Sequence, residues 1–263
     1  MMVYKEPDIA ALFEDYFNNN PYLPSISLNK AYSLIQNIEM LSRDFGYEFA
    51  DQCEEALQYA YDMKYGNWEE VSDLRKIYPD SWFKPVEGLF NEINATDRLI
   101  DIGCNNGYEL KEILGNNFYK PELTLIDISA RAIYNLQQSL RHRHMEVINE
   151  SFLKGNLRKE YYTHCLALRT LHSSGMNTME SLDKCFAITK SEGVFLFSIA
   201  NGYVDSETQL PIKGMCCAYT GLIDLDKPYQ IVKNMQEKLI SLGVREIEIT
   251  DGDSEIFISG KKP

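Results

Sequence analysis

From residue 97 onward, short β-rich runs alternate with helical patterns, and this alternation restricts the fold more than any other feature of the chain. The spacing predicts strand 98–102, helix 107–114, strand 123–127, helix 129–140 and strand 145–149. It continues with strand 163–169, helix 177–189, strand 194–200, helix 228–241 and strands 244–250 and 254–259. Strands joined through helices lie parallel, with the helices covering both faces of one sheet. The end differs: "REIEIT-DGDS-EIFIS" is two alternating runs around a Gly-containing turn, which predicts a hairpin and an antiparallel last strand. The expected architecture is an open seven-stranded α/β sheet, mostly parallel, preceded by a helical N-terminal segment.

Residues 1–96 form that segment and 97–263 the sheet domain. In 27–46, Ala31, Leu34, Ile35, Ile38 and Leu41 fall at helical spacing before Gly46. A second helix is expected over 47–64, a shorter one over 68–77, and another starting near Pro85. Residues 201–226, between the fifth strand and the last long helix, show no clear pattern. They leave the carboxyl edge of the sheet, where ligands of open α/β folds bind.

That edge is best read in "RLIDIGCNNGYEL" at 98–110, a strand, a tight turn and a helix start. Glycine or asparagine in such a turn lets the backbone approach a ligand closely. The segment lacks the G-x-G-x-x-G spacing of a pyrophosphate site, and Asp101 at the strand end would repel phosphate. A cationic ligand suits it better. Asp127 ends the next strand about 20 residues after Gly107, the placement of an acid that holds ribose hydroxyls.

With these residues the chain resembles the class I S-adenosylmethionine-dependent methyltransferases over about residues 97–260. "DIGCNNG" is similar to their glycine-rich first motif, with Asn105 at the usual middle glycine. "IDISARAI" is similar to their ribose motif, "INESFL" to the adenine-side segment, "LALRTLH" to strand four and "SEGVFLFSIANG" to strand five. The resemblance implies S-adenosylmethionine as cofactor, its sulfonium and ammonium facing the acid, and S-adenosylhomocysteine as product. It implies that Asp101, Gly103, Cys104, Asn105 and Gly107 line the methionine end. Asp127 and Ile128 would hold the ribose and flank the adenine, with Glu150, Ser151 and Phe152 on the adenine side. Thr170 and Arg169 would lie near the reacting centre. His172 is the best-placed candidate base, and Arg169 could pair with a carboxylate of cofactor or substrate, or with a structural acid in the N-terminal helices.

Eight of the 17 tyrosines lie in 16–78, densest in "YAYDMKYGNW" at 59–68. Tyr65 and Trp68 there, with Tyr203 from the 201–226 stretch, are candidate walls for a small substrate. The N-terminal helices would then act as lid and specificity element. The formal charge of −13 disfavours phosphate backbones, so nucleic acid is an unpromising partner. Six cysteines without CxxC spacing suggest neither zinc nor a disulfide framework, and no metal is expected. No run approaches the roughly 18 apolar residues of a membrane span, and "MMVYKEPDIAALFEDYF" lacks the form of a signal peptide, so a cytoplasmic location is expected. The function expected is methyl transfer to a small-molecule amine, hydroxyl or carboxyl. Methylation of RNA or protein, and a non-catalytic cofactor-binding subunit, are the alternatives. The sequence does not specify the oligomeric state.

Overall fold

The computed structural model describes residues 58, 61–62, 80–107, 110, 121–140, 144–173, 176–204, 211–213, 215–217, 222–252 and 255–263. Four helices are bounded within it: α1 (Asp80–Glu92), α2 (Ala130–Ser139), α3 (Thr178–Ile188) and α4 (Lys227–Ser241). The main sheet has seven strands: β1 (Arg98–Ile102), β2 (Glu122–Asp127), β3 (Met145–Asn149), β4 (Tyr162–Leu168), β5 (Thr189–Ala200), β10 (Arg245–Asp251) and β11 (Glu255–Lys261). Four further strands of three residues each, β6 (Gly202–Val204), β7 (Pro211–Lys213), β8 (Met215–Cys217) and β9 (Leu222–Asp224), form two separate antiparallel ribbons, β6 with β7 and β8 with β9.

The order across the sheet is β10-β11-β5-β4-β1-β2-β3. β1 pairs in parallel with both β2 and β4, so the winding reverses between them. A crevice opens at such a reversal, outside the carboxyl ends of the strands. β11 runs antiparallel to both β10 and β5, as the terminal hairpin predicts.

Period-two alternation sorts the strand residues onto two faces. Ile100, Ile102, Ile126, Cys165, Ala167, Phe195, Phe197 and Ile199 pack on one side with Leu182, Cys185 and Ile188 of α3 and Val232, Met235 and Leu239 of α4. Leu99, Leu123, Leu125, Leu166 and Leu196 pack on the other with Ile133 and Leu136 of α2 and Val86 and Leu89 of α1. The helical contributors recur every three or four residues, one apolar stripe per helix.

Three sequence expectations change. The helix near Pro85 includes Asp80, so Pro85 lies inside α1; lacking an N–H, it leaves one carbonyl of the preceding turn without its usual donor. β5 starts five residues earlier than 194. Between the Tyr162–Thr189 and His164–Val194 pairs its register shifts, with Glu192 at φ 63°, so "KSEG" reads as a turn although it belongs to an irregular strand. Finally, 201–226 contains the two ribbons. Three-residue strands carry too little alternation to be read from sequence.

The expected helices of 27–77 and most of 107–114 lie outside the described residues. Residues 58, 61, 62 and 110 are helical. Among the described residues, no helix is long and apolar enough to cross a membrane, and no cluster of His, Cys, Asp and Glu could hold a metal ion. Cys104, Cys165 and Cys185 are buried free thiols.

Candidate cofactor site at the carboxyl edge

The turn after β1 is shaped by three residues in the left-handed region: Gly103 (φ 70°), Asn105 (φ 54°) and Gly107 (φ 71°). Asparagine tolerates that region better than most side chains, which explains how Asn105 replaces a glycine. The amides of Gly103 and Cys104 both donate to the Ile126 carbonyl, at 2.8 and 3.2 Å, and Gly107 donates back to Cys104 at 3.0 Å. The turn is therefore tied to the end of β2. A Cβ on Gly103 would lie 2.3 Å from Thr170 Oγ1, so the end of β4 also closes on it. On Gly107 a Cβ would come within 3.2 Å of Leu136 in α2.

Asp127 joins these parts. Its Oδ2 accepts the Asn105 amide at 2.9 Å and its Oδ1 the Ser129 amide at 2.8 Å. The side chain is 7% exposed. Asn149, at the end of β3, donates from Nδ2 to the carbonyls of Asp127 and Ile128 at 3.0 and 2.9 Å, fixing the backbone beneath that acid. Ser129 caps α2, accepting the Ala132 amide at 3.0 Å.

Asp101 is buried on β1, and Asn106 is buried in the turn, where its Oδ1 has no hydrogen-bond partner in the structure. Buried polar atoms without partners are rare and costly. An acceptor of this kind, in the turn that follows a strand carrying a buried acid, fits a ligand that brings N–H donors and positive charge, as the ammonium of S-adenosylmethionine does. The donor set thus agrees with the cofactor that the sequence implies.

The other candidates fall in different settings. Ile128 is half-buried and Glu150 exposed. Ser151 accepts the amides of Lys154 and Gly155 on its carbonyl, turning the chain after β3. Phe152 is buried in the core among Ile126 and Leu182, with the Lys184 ammonium 5.1 Å from its ring centroid. Thr170 donates its hydroxyl to the Leu168 carbonyl at 2.9 Å. Tyr203 lies in β6 opposite Ile212. Tyr65 and Trp68 lie outside the described residues.

Among the described residues, Arg169 has a structural partner in Glu255. Its Nε pairs with buried Glu255 of β11, and its Nη2 donates to the Gly202 carbonyl at 3.0 Å. Its backbone, at φ 52°, donates to the carbonyl and hydroxyl of Ser198. The side chain therefore braces β4, β11 and the start of β6.

His172 follows on the same segment, its Nδ1 buried without a hydrogen-bond partner. Burial, with the positive charges of Arg169 and Lys227, lowers its pKa to about 3. The imidazole is neutral at ordinary pH. Nearby, Asn201 donates to Asp251 at 3.0 Å and to the Tyr229 hydroxyl at 3.3 Å, while that hydroxyl donates to Asp251 at 2.8 Å. This cluster joins β5, α4 and β10.

Sequence reasoning did not single out Ser129, Asn106, Asn149 or Glu255. Ser129 carried a signal, a serine immediately before a helical pattern. Asn149 and Glu255 did not, because their partners are backbone groups or remote in sequence, and burial of the Asn106 side chain is set by the folded turn.

Residues 100–197, from within β1 to within β5, match a family model described as a methyltransferase domain. No curated protein matches the chain. Among solved structures, the CurJ carbon methyltransferase is similar with a TM-score of 0.54 at 13% identity, over 86% of this chain and 70% of that one. Geranyl diphosphate C-methyltransferase from Streptomyces coelicolor A3(2) gives 0.53 at 9%, over 77% and 84%. A putative S-adenosyl-L-methionine-dependent methyltransferase from Methanococcus maripaludis gives 0.52 at 14%, over 82% and 93%. At these identities the structures speak for the fold. The chain thus has their Rossmann-like fold, and within it residues 100–197 match a methyltransferase domain.

Proposed function

We propose that this methyltransferase acts on a small-molecule acceptor held between the carboxyl edge of the sheet and the N-terminal helical segment. The observation that carries the reading is His172: a neutral, buried ring nitrogen lacking a partner, at the end of the strand where the acceptor would meet the cofactor. An imidazolium there would repel a sulfonium, whereas a neutral ring adds no opposing charge. Its free nitrogen accepts a hydrogen bond from an N–H or O–H of the acceptor and orients the attacking atom. Similar folds that include a geranyl diphosphate C-methyltransferase support a small acceptor, and the charge of −13 disfavours an RNA backbone.

When bound, the cofactor supplies an electrophilic methyl group on a sulfonium. Asp127 would hold the ribose hydroxyls, and Ile128, Glu150 and Ser151 would bound the adenine, with Phe152 supporting them from the core. Asp101 and Asn106 take the ammonium, while Gly103, Cys104, Asn105 and Gly107 let the backbone come close. Thr170 and His172 face the reacting centre. Arg169 acts as a positioning residue through Glu255 and Gly202. Tyr65, Trp68 and Tyr203 provide aromatic walls for the acceptor. With little covalent chemistry left to the protein, catalysis rests on holding the acceptor in line and excluding water.

The test is formation of S-adenosylhomocysteine with a panel of small amines, phenols, enols and carboxylic acids, alongside total RNA and a protein lysate. Turnover with one small class, lowered in His172→Gln, is expected. Turnover with RNA or protein only would overturn the small-molecule reading, and cofactor binding without turnover on any acceptor would favour a non-catalytic subunit.

A further inference from the structure

Asp62 is the described residue of the N-terminal segment that reaches the ribose subsite. Its Oδ1 accepts the Ser129 hydroxyl at 2.6 Å and the Arg131 amide at 2.9 Å, across 67 and 69 residues of sequence. Ser129 is the same residue whose amide donates to Asp127 Oδ1. One residue thus carries two acids, Asp62 on its hydroxyl and Asp127 on its amide. The Asn105 amide completes a chain running from Asp62 through Ser129 and Asp127 to the glycine turn.

We infer that Asp62 is a positioning residue for the cofactor, coupling the N-terminal segment to the ribose acid through Ser129. The inference rests on the assignment of Asp127 to the ribose. Helix α2 starts just after Asp127, and the free amides of its first turn are an attractive place for an anion. Asp62 fills that place with a carboxylate from another part of the chain. It thereby holds Ser129 in the orientation that points its amide at Asp127, and closes that helix end to a competing phosphate. These bonds also bring Asp62, 67 residues from Ser129 in sequence, against the start of α2 beside Asp127. Cofactor binding and docking of this segment therefore favour one another, as linkage requires.

Asp62→Ala removes both acceptors, whereas Asp62→Asn keeps an oxygen that can accept from the same two donors. Calorimetric titration with S-adenosylhomocysteine should show affinity about tenfold weaker in Asp62→Ala and within about threefold of wild type in Asp62→Asn, a coupling of ordinary size. Unchanged affinity in a folded Asp62→Ala would overturn the inference, as would equal losses in the two variants. A measurement on the wild type covers an alanine variant that does not fold. In hydrogen exchange, peptides covering 55–64 and 128–134 should gain protection together when S-adenosylhomocysteine is added; protection of the second alone would contradict the coupling. Should Asp127→Ala leave affinity unchanged, the ribose assignment itself fails, which separates that failure from a failure at Asp62.

Discussion

Gly103 is held to glycine on two counts, its φ of 70° and the 2.3 Å approach of Thr170 Oγ1 to any added Cβ. Gly103→Ala should cost about 2–4 kcal/mol in denaturant unfolding, combining left-handed strain with overpacking. Adding Thr170→Ala removes the two nearest atoms and should recover part of that loss. His172 makes a different prediction. Its folded pKa of about 3 lies below the ordinary value of 6.5, so between those values the unfolded chain takes up a proton that the folded one refuses. Stability from this residue is complete above about pH 6.5 and falls as pH drops toward 3. Urea midpoints measured from pH 7 to 4 should fall more steeply in wild type than in His172→Gln; equal slopes would contradict the burial of a neutral ring. The strand-turn-helix around Gly103 and Gly107, with Asp127 ending the next strand, was legible because the turn dictates residue types at fixed spacing. Asp62 and Glu255 were not, since each acts through a partner brought close only by folding.

At the scale of elements, the strands of the main sheet and three of the four bounded helices follow from periodicity, with ends displaced by a residue or two except at β5. The exceptions share a cause. The register shift in β5 and the three-residue ribbons depend on partners across the sheet or along the excursion, not on their own alternation. Helix α3 begins as a capped helix should: Asn177 accepts the Met179 and Glu180 amides at 3.2 and 3.3 Å. Asn177→Ala should cost about 1 kcal/mol with the cofactor site intact. The Arg169–Glu255 pair ties β4 to β11, and Glu255 is 1% exposed. Arg169→Met takes a cation from a buried carboxylate and should destabilise by about 3 kcal/mol, much of it restored by adding Glu255→Gln. A variant with unchanged stability but abolished methyl transfer would instead make Arg169 catalytic.

For the whole molecule, the sheet brings the ends of β1, β2, β3 and β4 to one edge, and the winding reversal between β1 and β4 opens the crevice where the cofactor belongs. The acid, glycine and asparagine groups gathered there suit a phosphate-free cationic ligand, and the matched domain agrees. The acceptor is not legible in the sequence, because the walls of a substrate site are assembled by long-range packing that local pattern does not encode. On the proposed reading, Asp127 and the turn after β1 form one cofactor subsite. Calorimetric titration of wild type and Asp127→Ala with S-adenosylmethionine and S-adenosylhomocysteine tests it most directly. Wild type should bind both, and the folded variant should bind each at least about tenfold more weakly, the loss of a charged hydrogen-bond acceptor. Equal affinity in the two proteins, or no binding by folded wild type, would contradict it.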